Sequence, residues 1–227
     1  MSTRTVRSRP LAAAVAAALA VTTAFSLGGC ALFGFIAYTA ENARRTGSTT
    51  YPADYDGLTD KTYAVVVEAD RVIQAEHPSL VPRLIDRVNT MIHDNAGASQ
   101  YIPSDRIVRF IYDNPTWQAL SRGELAERLG VERLIVVEVL EYRHHSEGNP
   151  YIWEGVASAI TSVFESDSGI PDDPSFQRSF IVSFPDNTEV LRESIPEAAV
   201  RTELTNRVAR RAAWLFYEHD EPNSITY

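Results

Sequence analysis

The chain carries one cysteine, Cys30, among 227 residues. That single thiol excludes an intramolecular disulfide framework and every multi-cysteine zinc or iron–sulfur site. Whatever folds must therefore hold itself together by burying apolar surface. The means are present. Of the residues, 44% are hydrophobic, and a folded part of about 150 residues buries roughly 68–70% of its unfolded surface, so no covalent staples are needed. The length allows one domain with an added tail, or two small ones. The formal net charge is −9. An acidic chain lacks the basic field that a general nucleic-acid binder turns towards phosphates, so nucleic acid is not expected as a partner.

The periods of the apolar residues define the elements. Tyr63 to Val67 is a continuous Val-rich run, the pattern of a strand covered on both faces. Leu80, Leu84, Ile85, Val88, Met91 and Ile92 recur at helical spacing, with Ser79 as N-cap, Pro82 in the first turn and Gly97 as the stop. Tyr101-Ile102 reads as a short strand. Ser104 caps a brief helix that ends before Pro115, and Ser121-Arg122-Gly123-Glu124 is a capping box opening a helix closed by Gly130. Leu134 to Leu140 is the next strand. The order strand, helix, strand, helix, strand with right-handed crossovers predicts a parallel core. Trp153–Phe164 and Phe176–Phe184 are further strands, the second alternating as a half-buried antiparallel strand does, with Ile181 as the exception. A closing helix over about 197–217 carries Leu204, Val208, Ala212 and Leu215 in a stripe. The fold class expected is α/β, a mixed sheet with parallel core strands, antiparallel later strands and a C-terminal helix.

Before this domain the chain has a different character. Arg4, Arg7 and Arg9 precede an uncharged run, Leu11 to Ser26, of about secretory length; it is shorter and less apolar than the roughly 20 residues of a membrane span. The run ends in Leu27-Gly28-Gly29-Cys30, which resembles the lipobox of bacterial lipoproteins at all four positions. The resemblance implies diacylglyceryl transfer to the Cys30 sulfur, cleavage before it, and acylation of the new amino end. The alternatives are an ordinary signal peptide with a chance cysteine and an uncleaved anchor. One acyl chain binds a membrane only marginally, with a constant of about 10⁴ M⁻¹, and a second signal makes the attachment stable. Removing residues 1–29 takes the formal charge from −9 to −12. Ala31 stands after the cysteine where, in enterobacterial lipoproteins, Asp favours the inner membrane, so the expected location is the outer membrane facing the periplasm. Ala31 to Ala40 stays apolar and is expected beside the lipid, with a tail packed on the domain as the alternative. Residues 41–60 read as a linker or a surface-hugging arm pinned by Tyr51, Tyr55 and Leu58. The expected organisation is a lipoprotein signal peptide at 1–29, a lipidated tail and linker at 30–60, one α/β domain at 61–219 and a C-terminal tail at 220–227.

Candidate chemistry within the domain is sparse. No nucleophile elbow, phosphate loop, dinucleotide fingerprint or His-Glu-x-x-His is present. One lysine, Lys61, stands against 20 arginines, leaving little scope for Schiff-base chemistry. His144, His145 and Glu147 are metal-ligand types, but adjacent histidines on a strand point to opposite faces, and a polar strand end is the expected reading. Asp167, Asp172 and Asp173 lack the spacing of a calcium loop and read as a solvated loop. Arg201, Arg207, Arg210 and Arg211 are expected on an exposed, salt-bridged helix face, with Glu203 four residues before Arg207 in the favourable order. Trp117, Trp153, Trp214, Phe216 and Tyr217 are expected in the core rather than around a ligand.

The Val-rich first strand, the long helix and the helix–Gly–strand join Leu125-Ala126-Glu127-Arg128-Leu129-Gly130-Val131-Glu132-Arg133-Leu134-Ile135-Val136-Val137 resemble a group of envelope proteins. These are the amino-terminal domain of the Tol–Pal propeller protein, the curli-secretion channel lipoprotein and the lipoprotein activators of penicillin-binding proteins. The resemblance spans about residues 61–217 and implies action by protein–protein contact, with no catalytic residue and no cofactor. No pair of bilayer-length amphipathic strands is present, so a pore is not expected. The expectation is a membrane-tethered, non-catalytic module that binds an envelope protein. A lipoprotein hydrolase and a small-ligand binder with a cleft at the strand ends are the alternatives.

Overall fold

The arm ahead of the first central strand lies on the domain. In this computed structural model, residues 47–146, 148–149, 151–186, 190–223 and 225 are described. Thr49–Glu221 and Ile225 form one compact unit; Gly47, Ser48, Pro222 and Asn223 belong to a second, in which the Asn223 N–H donates to the Gly47 carbonyl at 2.9 Å. The short strand β1 (Ser48–Tyr51) pairs with β9 (His219–Pro222). Asp54 and Tyr55 then both donate their backbone N–H to the Leu215 carbonyl at 2.9 Å. Tyr55 packs its ring against Phe176 and Phe216, and Leu58 is only 1% exposed. From Asp54 to Leu58 this segment is the surface-hugging arm of the two readings; residues 41–46 lie outside the described residues.

The main sheet has the strand order β3-β2-β4-β6-β7. β2 (Thr62–Ala69) is parallel to both β3 (Gln100–Tyr101) and β4 (Arg133–Arg143). β4 is antiparallel to β6 (Gly155–Glu165), which is antiparallel to β7 (Phe176–Phe184). The fold is α/β with a mixed sheet, as its sequence pattern predicts. The continuous Tyr63–Val67 run is buried throughout. On one face Tyr63 donates its hydroxyl to the Asn89 carbonyl in the helix layer; on the other, Glu68 meets Arg122. Both faces of β2 are thus covered, which is why its sequence lacks alternation.

α1 (Arg71–Glu76) has no counterpart in the periodicity reading, because six residues make less than two turns. Its signals are local: Asp70 accepts the Ile73 N–H at 2.7 Å, and Pro78 follows the end. α2 (Leu80–Asn95) buries Leu80, Leu84, Ile85, Val88 and Ile92 of the predicted stripe, and Met91 is partly buried. Ser79 holds the N-cap position but makes no side-chain cap. Ser104 is a correction: it is the first residue of α3 (Ser104–Asp113), and Pro103 occupies the cap position. A 3₁₀ turn at Trp117–Ala119 leads to α4 (Arg122–Leu129). There Ser121 does cap, accepting the Glu124 N–H at 3.3 Å, and Gly130 closes the helix at φ +69. The Glu124 carboxylate does not reach back to complete the box; it pairs with Arg128.

The predicted Trp153–Phe164 strand is two pieces. β5 (Ile152–Trp153) pairs instead with β8 (Val190–Leu191), and β6 begins at Gly155. A Cβ on Gly155 would lie 2.7 Å from the Phe184 carbonyl oxygen, so only glycine fits this approach. α5 (Glu197–Trp214) precedes β9 and packs beside α2 on the same face of the sheet, burying Val200, Leu204, Val208 and Ala212.

Candidate functional site

The chain lays β3 on one side of β2 and then returns to lay β4 on the other. Strand order therefore reverses between β2 and β4, and an open α/β sheet leaves a crevice beyond the carboxyl ends at such a point. A cavity of about 320 Å³ lies there, lined by Glu68, Asp70, Gln118, Glu138 and Leu140. Gln118 is shared with a second, of about 260 Å³, that reaches Arg71, Gln74, Ile111 and Trp117. Gln74, Val81 and Ile111 are shared in turn with an apolar groove of about 310 Å³ beside Val108 and Tyr112.

Much of the polar lining is already engaged. Glu68 takes a two-pronged bond from Arg122 at 2.7 and 3.0 Å. Asp70 caps α1, and Gln74 Nε2 donates to the Ala69 carbonyl at 2.6 Å. Glu138, the register partner of Glu68, is exposed. The groove can admit an apolar group, and the adjoining cavity carries Arg71 and Gln118.

A second polar cluster sits at the opposite, amino ends of β2 and β4. Lys61 Nζ lies 2.9 Å from Glu132 and 3.0 Å from Asp167. Arg133 bonds the other Asp167 oxygen at 2.5 Å and the Gly57 carbonyl at 3.2 Å. Tyr55 donates to Glu165 at 2.8 Å, and burial together with that carboxylate pushes its hydroxyl pKa up to about 12. Glu132 and Asp167 push the Lys61 ammonium up, while Arg133 and Lys61 hold the Asp167 carboxyl below its ordinary range. A Schiff-base lysine needs its pKa lowered; Lys61 is shifted the other way. The network ties the arm to the sheet.

The remaining candidates are dispersed. Asp172 accepts the Gly123 N–H at 2.7 Å at the start of α4, and that bond holds its carboxyl low. Asp173 closes a turn, its N–H donating to the Ile170 carbonyl. Among the described residues, no group of three or more His, Cys, Asp or Glu side chains is placed to hold a metal ion. His144 is buried against Glu197, whereas His145 faces solvent and bonds the Ser146 carbonyl. Glu147 lies outside the described residues, as do Cys30 and the whole leader.

The arginines of α5 need a correction. Arg207 is buried, 2% exposed along its side chain, and makes bonds of 2.6 and 2.7 Å to Asp186 and one of 2.6 Å to the Ser183 carbonyl. Arg210 pairs with Glu203, and Arg211 with Glu221. The expected salt bridges are present, Glu203 to Arg207 among them, but Arg207 is buried rather than exposed; Arg207 and Arg211 tie the helix to Asp186 and Glu221, while Arg210 pairs within it. A neutral helical wheel could not show this, because the Asp186 carboxylate arrives from a distant loop. The aromatics follow expectation more closely: Trp117, Trp153 and Phe216 are buried, Tyr217 is partly so, and Trp214 stacks on His219 at 4.6 Å.

What remains open is one half of a sheet face. α4 covers Leu134, Val136 and Phe164. Beyond it the same face presents Leu140, left unpaired by a bulge between Val139 and Glu141, and the exposed Ser179, Ile181 and Ser183 of β7. Ile181 is 65% exposed, and β7 is the edge of the sheet.

These features define an α/β domain with a mixed five-stranded sheet, an edge strand β7 that is unpaired on its outer side among the described residues, and shallow crevices. No known family's sequence profile matches the chain, and no curated protein is similar in sequence. Among solved structures, lipoprotein GNA1162 from Neisseria meningitidis is similar at TM-score 0.43 and 12% identity, over 66% of this chain and 97% of that one. A PelC dodecamer from Paraburkholderia phytofirmans is similar at 0.44 and 11%, over 75% and 99%. The hypothetical protein CT253 from Chlamydia trachomatis is similar at 0.38 and 17%, over 69% and 98%. The narrower resemblance to the Tol–Pal, curli-secretion and penicillin-binding-protein-activator group rests on the sequence alone. Among the described residues, no helix is long and apolar enough to cross a membrane.

Proposed function

We propose that this chain is a lipid-anchored cell-envelope protein whose α/β domain is a non-catalytic interaction module, held at the outer membrane and facing the periplasm. The observation that carries the reading is Leu27-Gly28-Gly29-Cys30 at the end of an uncharged run, with the chain's only cysteine in its last position. The open β7 edge, with Ile181 exposed beside it, supports the second half: an unpaired edge and an apolar side chain are what a partner strand or loop would cover. A small-ligand reading is favoured by one feature, the crevice at the strand-order reversal with its apolar groove.

Mass spectrometry of the protein from its own membranes tests the anchor: a chain beginning at an acylated Cys30 is expected, and a free thiol with the leader attached overturns it. A photo-crosslinker at position 181 tests the module. One discrete adduct in intact cells is the expected result, and turnover of a small molecule by the purified protein would contradict it.

A further inference from the structure

We propose that His77, His144 and Glu197 form an acid-sensitive latch that holds the β5–β8 flap on the domain. The flap is small: two residues of β5 pair with two of β8. Its attachments converge on one place. The Glu154 N–H donates to the His144 carbonyl at 3.1 Å, and Trp153 Nε1 donates to the Ile195 carbonyl at 2.8 Å, just before α5. The Arg192 guanidinium lies 4.4 Å over the Trp153 ring and 4.0 Å from Glu197. The other oxygen of Glu197 is 3.3 Å from His144 Nδ1. One carboxylate thus faces both the flap and the histidine.

The histidine is poorly placed to accept a proton. His144 is 5% exposed, and its Nε2 is buried with no hydrogen-bond partner among the described residues. The His77 ring, in the turn between α1 and α2, lies 4.8 Å from the His144 ring and 4.8 Å from that of Tyr142. A proton on Nε2 would have no acceptor, and a second on His77 would set two like charges side by side. Besides the flap's own Arg192, the surrounding charges come from four elements. α1 supplies Glu76 and α2 supplies Arg83, which acts on Tyr142. β4 supplies Tyr142, whose hydroxyl is engaged with the Arg201 carbonyl and Thr205. α5 supplies Glu197 and Arg201. Glu76 and Glu197 favour the protonated rings and Arg201 opposes them; burial decides, lowering both histidines, and His77 lowers His144 further.

A lowered histidine binds fewer protons in the closed state than in the open one. Closure is therefore at full strength above the ordinary histidine range and weakens as pH falls through it. The flap carries the exposed Tyr151 and Leu191, so acid frees a segment with apolar side chains. This inference stands apart from the proposed function.

Hydrogen exchange on the full chain in detergent, from pH 7.5 to 5.0 and corrected for intrinsic rates, reads the opening directly. The amides of Glu154 and Arg192 are expected to lose protection, by up to about tenfold per pH unit for one proton taken up, while those of Val65–Val67 do not. In His144→Phe the acid loss should fall to the smaller part that His77 alone contributes. His77→Gln, a milder change, should shrink it, and decides alone if the first variant fails to fold. Flat protection in the wild type, or the same pH dependence in both variants, overturns the latch.

Discussion

Arg207 shows how far one residue's environment can depart from its letter in the sequence. Its guanidinium is enclosed by Asp186, Glu203 and the Ser183 carbonyl, with the Phe184 ring 5.0 Å away. Arg207→Met keeps the stem and deletes the charge, taking the guanidinium from Asp186 and the Ser183 carbonyl, while Glu203 keeps Arg210. Removing one partner of a buried pair costs about 3–5 kcal/mol; the low end applies here, because Asp186 keeps 35% of its side chain in water. Urea unfolding should show the loss. Gly130 is the opposite case, a residue chosen by its backbone. At φ +69 a Cβ would meet no neighbour, so the cost of Gly130→Ala is conformational alone. It should be of order 1 kcal/mol, with an unchanged circular dichroism spectrum.

At the scale of elements, local signals were readable where the chain makes its own contacts. Ser121 and Gly130 bound α4 as their letters indicate, and the α2 stripe is buried as spaced. Ser121→Ala should cost about 1 kcal/mol in a denaturant melt, whereas the same change at Ser79, which makes no side-chain cap, should cost much less. Leu204→Ala, in the fully buried stripe of α5, should cost about 2–5 kcal/mol. The signals failed where partners are remote. The flap interrupts what reads as one long strand because β5 finds β8 across an intervening hairpin. The arginines of α5 look solvated until Asp186 and Glu221 arrive from outside the helix.

For the whole molecule, one property is set by charge and another by the proposed anchor. Glu132, Asp167 and Asp172 are all held below the ordinary carboxylate range by partners present only in the fold. A depressed folded pKa stabilises above the unfolded value and loses that contribution as pH falls through the folded one. Stability should therefore drop on the acid side of about pH 4, and Asp167→Asn should flatten that limb; denaturant midpoints at pH 3 and 6 would measure it. If Cys30 carries the lipid, Cys30→Ser should move the protein out of the membrane fraction, since without acyl chains the attachment has no stable basis.

From residue order alone came the resemblance to a lipobox, the α/β class and the parallel-then-antiparallel sheet, because each is written in contiguous letters: a four-residue motif, a 3.6-residue stripe, an alternation. The tertiary structure decided which polar residues are used and how. Lys61 became a strut between two acids, Arg207 a buried anchor, and His144 the neighbour of His77, 67 positions away. The physical reason is that apolar burial needs only a face, which periodicity encodes, whereas a buried charge needs a particular partner atom at bonding distance. Chain folding alone supplies that atom.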